Sequence, residues 1–205
     1  MRNRFAPEDI CGEVAEPPPL TLEAQLVDWT NRETTTDQAR IESALDELRL
    51  GPSVRLLHVG VGNSSLATRF AGKVELIDGL TVVEQEWHRA NSLGLANYGV
   101  HLLNKYSANL QPYLGRQYDF IVDNNLASFA CCTYHFYRML DSYQSLLRPN
   151  GRVLTDQEGL NWRADGQPGW ELSFELLEDL AARFGLLASR INHSVYELLR
   201  PARVT

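Results

Sequence analysis

The sequence predicts an α/β domain built on a doubly wound, mostly parallel sheet with helices in front of it. From residue 54 onward, short and nearly continuous apolar runs alternate with helix-length segments. Parallel strands covered on both faces give that texture. The first apolar run leads directly into Gly60-Val61-Gly62 and then into a helical stretch. Near the end, two apolar runs are split by Asn192-His193-Ser194, which reads as a tight turn between antiparallel strands.

Taken in order, residues 1–19 lack periodicity and end in Pro17-Pro18-Pro19, a stiff stop after an extended arm. Leu22, Leu26 and Trp29 then recur at helical spacing, so a first helix with Trp29 in its apolar stripe is expected. After the Thr34-Thr35-Thr36-Asp37 break, Ile41, Leu45 and Leu48 repeat the stripe, and Gly51-Pro52 ends this second helix. Strands are expected at 54–59, 73–78, 100–104, 118–123 and 152–156, with helices near 65–70, 82–93, 134–147 and 173–184. Thr81-Val82-Val83-Glu84 fits a capping box, and Glu84-Gln85-Glu86 reads as a solvated face. The tail, 186–191 and 195–200, forms the closing hairpin. This divides the chain into an arm and helical lid, 1–50, and a sheet domain, 51–205.

Composition narrows the partners. The chain has 205 residues, 44% of them hydrophobic, enough for a real core. Its 19 basic against 26 acidic side chains give a net charge of −7, which argues against nucleic acid as partner. No apolar run approaches the ~20 residues of a membrane span, and the N-terminus has no apolar signal core. Cys11, Cys131 and Cys132 are odd in number and lack metal-ligand spacing, so neither a disulfide framework nor a metal site is expected. A cytoplasmic setting follows, with a homodimer left open.

Gly60-Val61-Gly62-Asn63-Ser64 carries the strongest chemical signal. Glycines there let the backbone turn and a ligand lie against it. The amides of Asn63, Ser64 and Ser65 would open the next helix toward an anionic group. Ser65 stands where a dinucleotide fingerprint needs its third glycine, and no Gly-Lys-Ser/Thr follows, so nicotinamide and phosphate-loop readings are weak. Asp78 closes the second expected strand, where a carboxylate can accept from both ribose hydroxyls.

In this order and spacing, LLHVGVGNS, VELIDG, YDFIVDNNL and LLRPNGRVLTD resemble the motifs of class I S-adenosylmethionine-dependent methyltransferases over residues 54–200. The resemblance implies a Rossmann-like sheet of seven strands with one reversed, and S-adenosylmethionine as cofactor. It implies that Gly60 and Gly62 lie under the methionine portion, with Asn63 and Ser64 among the cofactor-binding residues, and that Asp78 holds the ribose. It places Asn104 and Tyr106 beside the adenine. Asp123 and Asn124 would face the amino group and the transferring methyl. His58 stands where that family usually has an acid that helps hold the amino group.

Methyl transfer needs alignment and exclusion of water, and a base only where the acceptor must lose a proton. Ligands of such sheets lie beyond the carboxyl ends of the strands. Asp123, Asn124, Asn125, Asp156 and Glu158 are the candidates there, followed by Tyr134 and His135, with His193 less well placed. His135, Asp156 and Asp123 are the catalytic candidates. Cys131 and Cys132 read as small packed residues, and Trp162 and Trp170 as either pocket wall or loop pins. The reading is therefore methyl transfer to a small-molecule acceptor. Aminopropyl transfer from the decarboxylated cofactor, suggested by YDFIVD, and a non-catalytic cofactor-binding module are the alternatives.

Overall fold

The computed structural model describes residues 28–106, 110–128, 130, 132–161 and 172–202. The proline arm, the Leu22 and Leu26 stripe, Cys11, Cys131, Trp162 and Trp170 lie outside the described residues.

Elements follow in the order α1 (Thr36–Glu47), β1 (Arg55–Val59), α2 (Ser65–Phe70), β2 (Leu76–Thr81), α3 (Glu84–Ser92), β3 (Tyr98–Leu102) and α4 (Leu110–Leu114). Then come β4 (Tyr118–Asp123), α5 (Thr133–Leu146), β5 (Leu147–Asp156), α6 (Gln157–Leu160), α7 (Phe174–Arg183), β6 (Leu187–Arg190) and β7 (Val195–Leu199). They form one seven-stranded sheet in the order β3-β2-β1-β4-β5-β7-β6. The pairs among β1 to β5 are parallel, whereas β7 runs antiparallel to both β5 and β6. The expected architecture, hairpin included, is therefore present.

Alternation along the strands sorts the core into two layers. Leu57, Val59, Leu80 and Ile121 pack with α5 and α7 residues such as Phe136, Tyr143 and Leu177. Leu56, Ile77, Val122 and Leu154 pack on the other face with Ile41 and Leu45 of α1 and Leu66 and Phe70 of α2. The helix periodicity read at Ile41 and Leu45 is thus the stripe that seats α1 on the sheet.

Three local departures matter. The second strand runs to Thr81, beyond Gly79. That glycine is a packing position, because a Cβ there would meet Val61 Cγ1 at 2.6 Å and Val100 Cγ2 at 2.9 Å. The strand had been expected to end at Asp78. The capping box does not form: α3 begins at Glu84, and Thr81 Oγ1 accepts from Val83 N at 3.0 Å. Trp29 lies outside any helix. No described helix is long and apolar enough to cross a membrane.

Candidate functional site

The strand order reverses between β1 and β4, which leaves a crevice beyond their carboxyl ends. A cavity of about 250 Å³ occupies it. His58, Val59 and the Gly60-Val61-Gly62-Asn63 loop supply one side, and Leu80 to Val83 with Glu86 the next. Asn104, Lys105, Tyr106, Asp123, Asn124 and Asn125 continue around it. Trp29 and residues 33–35 and 37–38 complete the lining from the segment before and into α1.

The loop follows from its glycines. Gly60 and Gly62 have φ of 76° and 50°, in the left-handed region that other residues enter at a cost. Gly60 N and Val61 N both donate to Leu80 O, at 2.8 and 3.2 Å, which pins the loop beside the end of β2. Asn63 Nδ2 donates to Arg32 O at 2.9 Å and to Thr34 Oγ1 at 3.1 Å, tying the segment before α1 over the loop. Trp29 Cβ lies 3.5 Å from where a Cβ on Gly62 would stand.

Two acids on this side lie elsewhere than the sequence led one to expect. Asp78 sits mid-strand, outside the cavity lining, where its Oδ2 accepts from Tyr118 Oη at 2.6 Å. His101 Nε2 and Arg116 Nε lie 3.8 and 3.6 Å from its carboxylate. Burial acts to raise its pKa, but these neighbours outweigh that and hold it below the usual range. Glu86, read as solvated, is only 4% exposed and lines the cavity. Thr81 Oγ1 donates to its Oε2 at 2.7 Å, and Trp29 N donates to its Oε1 at 3.2 Å. Burial raises the Glu86 pKa. In the first turn of α3, it was masked by the acidic run around it.

His58 lines the cavity at 3% exposure, and its Nδ1 has no hydrogen-bond partner. Burial pushes its pKa down to about 4, so the ring is neutral near pH 7. Across the crevice, Lys105 Nζ is held by both Asp123 oxygens, at 3.1 and 3.0 Å, and by the carbonyls of Asn125 and Leu126, at 2.6 and 3.1 Å. Tyr143 Oη donates to Asp123 Oδ2 at 2.8 Å. Burial lowers the Lys105 pKa and raises that of Tyr143. Lys105 went unremarked between two nominated neighbours, Asn104 and Tyr106; a charge directly after an expected strand end was the available signal. Asn104 Oδ1 accepts from Tyr106 N at 3.0 Å, and Tyr106 Oη donates to Ser128 O at 2.7 Å. The Asn124 amide lies so close to Gly159 that a Cβ there would come within 2.0 Å of its Oδ1.

The structure thus brings His58, Gly60, Gly62, Asn63, Asn104, Tyr106, Asp123, Asn124 and Asn125 together around one cavity. It does not bring Ser64, Asp78, His135, Asp156 or Glu158 to it. Ser64 is buried, with its Oγ 3.1 Å from Tyr98 Oη. His135 is buried in the first turn of α5, its Nδ1 3.2 Å from Cys132 Sγ, and Tyr134 packs edge-on against it. Asp156 is fully buried and clasped by Arg40 of α1, which also reaches Glu158. His193 is exposed in the terminal turn.

Similar architectures are known. The N-methyltransferase NodS from Bradyrhizobium japonicum superposes with a TM-score of 0.61 at 13% identity, covering 80% of this chain and 96% of that one. CalS10, an amino pentose methyltransferase from Micromonospora echinaspora solved with S-adenosylmethionine, gives 0.58 at 12% identity, covering 87% and 94%. The fold is that of the class I methyltransferases. The [4+2]-cyclase SpnF also shares it, with a TM-score of 0.54 at 23% identity over 74% of this chain and 57% of that one, so the fold does not by itself fix the reaction. No protein-family model and no curated protein matches the sequence.

Proposed function

We propose that this chain is an S-adenosylmethionine-dependent methyltransferase acting on a small-molecule acceptor, with the segment before α1, from Trp29 to Thr35, serving as lid to the sheet domain. The observation that carries the reading is the cavity itself, set at the switch point and floored by the left-handed Gly60-Val61-Gly62 loop.

The residues present fit the cofactor. A buried His58 Nδ1 without a partner suits a hydrogen-bonding group of the ligand, and neutrality spares the ammonium a like charge. Glu86 takes over the ribose role first expected of Asp78, since it is the acid that lines the cavity beside the end of β2. Asn104 and Tyr106 flank the adenine, and Gly60, Gly62 and Asn63 underlie the methionine portion. When bound, the cofactor supplies an electrophilic methyl on a sulfonium centre. The chain's own residues orient and enclose. Lys105 and Tyr143 fix the Asp123 carboxylate, so Asp123 acts as a positioned charge and not as a mobile base. Trp29 and its neighbours close the cavity against water.

Aminopropyl transfer is the second reading. The lining is rich in carboxylates, which would also suit the more cationic, decarboxylated cofactor. Incubation with labelled S-adenosylmethionine or its decarboxylated form, with small-molecule acceptors, separates the two. Methylated product and S-adenosylhomocysteine support the proposal. Release of methylthioadenosine would replace it with aminopropyl transfer.

A further inference from the structure

The acceptor's chemistry is written in the charges that face the cavity. Glu33, Asp37, Glu86 and Asp123 are acidic, and Lys105 is the one cation among the described lining residues. Lys105 has three protons and four acceptors within hydrogen-bond distance, so nothing remains of it for an incoming anion. His58 adds no positive charge near pH 7. Of the nearby guanidinium groups, Arg40 is held by Asp156 and Glu158, and Arg32, 4.9 Å over the Trp29 ring, is not part of the lining.

The carboxylates are not equivalent. Asp123 is neutralised by Lys105, and Glu86 is bound by Thr81 and Trp29. Glu33 is exposed, whereas Asp37, at 9% exposure, is buried and neither neutralised nor bound in this way. Its Oδ1 accepts from Gln38 N at 2.9 Å, as suits an acid in the first turn of a helix. Its Oδ2 has no hydrogen-bond partner, and no cation pairs with the carboxylate, among the described residues. His58, whose buried Nδ1 has no partner, lines the same cavity, which marks the cavity independently as a place for a ligand.

We infer that the acceptor binds as a cation, a small molecule bearing a protonated amine, and that Asp37 is the carboxylate that selects it. This rests on the methyltransferase reading and concerns the charge of the acceptor, whichever of its atoms receives the methyl. At Asp37 a carboxylate or phosphate group would meet an unpaired negative charge, whereas an ammonium would pair with it.

Calorimetric titration of S-adenosylhomocysteine into the full chain comes first, since absence of binding would refute the cofactor reading itself. The protein is then given methyl-labelled S-adenosylmethionine and a pool of chain-matched amino alcohols, diols and hydroxy acids, and the products are resolved by ion exchange. Label is expected in the amino alcohols. Asp37→Asn should raise their KM about tenfold while S-adenosylhomocysteine still binds. Asp37→Glu, which keeps the charge, should restore part of the loss. Label spread evenly over the three classes, label on the hydroxy acids, or no label although S-adenosylhomocysteine binds would each overturn the inference. So would an Asp37→Asn KM equal to that of the wild type.

Discussion

Arg40 of α1 clasps the buried carboxylate of Asp156 at the end of β5 with two bonds, Nε to Oδ2 at 2.8 Å and a terminal nitrogen to Oδ1 at 2.6 Å. The pair joins the helix before the sheet to the carboxyl edge of the sheet, beside the cavity. It also withdraws from base catalysis a residue that its strand-end position had nominated. Removing Arg40 leaves a buried charge without its partner, which costs about 3–5 kcal/mol. Arg40→Ala should therefore lower the urea midpoint strongly. Arg40→Ala with Asp156→Asn should recover part of the loss, because the uncompensated charge is gone.

Lys105 and Asp123 form the corresponding pair across the crevice. Lys105→Met should destabilise the chain by a similar amount, about 3–5 kcal/mol, by stranding Asp123. Turnover should fall further than stability explains, since the carbonyls of Asn125 and Leu126 lose their anchor. Urea denaturation and single-turnover kinetics on the same preparation separate the two effects.

His58 predicts a pH dependence with a definite sign. Its folded pKa of about 4 lies below the model-peptide value of 6.5. The unfolded chain thus takes up a proton between pH 6.5 and 4 while the folded chain does not. The contribution of His58 is complete above the upper value and lost as pH falls toward the lower one, by about 3 kcal/mol in all. The urea midpoint of wild type should fall relative to that of His58→Leu as pH falls from 7.5 through about 5. A constant gap between them would refute the assignment.

Asp78 and Glu86 show how far the sequence could be read. The strand at Tyr118–Asp123 and the helix at 65–70 fall where periodicity placed them, because apolar spacing reports burial directly. The seven-stranded sheet with one reversed strand was implied by the resemblance of the motifs, and the glycine loop was legible from a strand running into Gly-x-Gly and a helix. Asp78 was expected at a strand end, whereas the strand runs on to Thr81, and Gly79 within it is a packing position set by Val61 and Val100, which no local pattern shows. Glu86, Lys105, Asp37 and Trp29 were not legible as site residues. Their roles arise where separate elements converge on the cavity, and no local pattern records that convergence.

Asp78→Asn tests the reassignment from one side. It weakens the bond from Tyr118, at an expected cost of about 1–3 kcal/mol in stability. Affinity for S-adenosylhomocysteine should stay within about twofold of wild type, as expected for a site outside the cavity.

The most direct test of the account is calorimetric titration of S-adenosylhomocysteine into the wild-type chain and into Glu86→Gln, side by side at pH 7.5. The account predicts one site per chain in the wild type and a loss of about tenfold or more in the variant, whose neutral amide cannot replace the carboxylate at the ribose. Absence of binding to the wild type, or equal affinity in the two proteins, would contradict it.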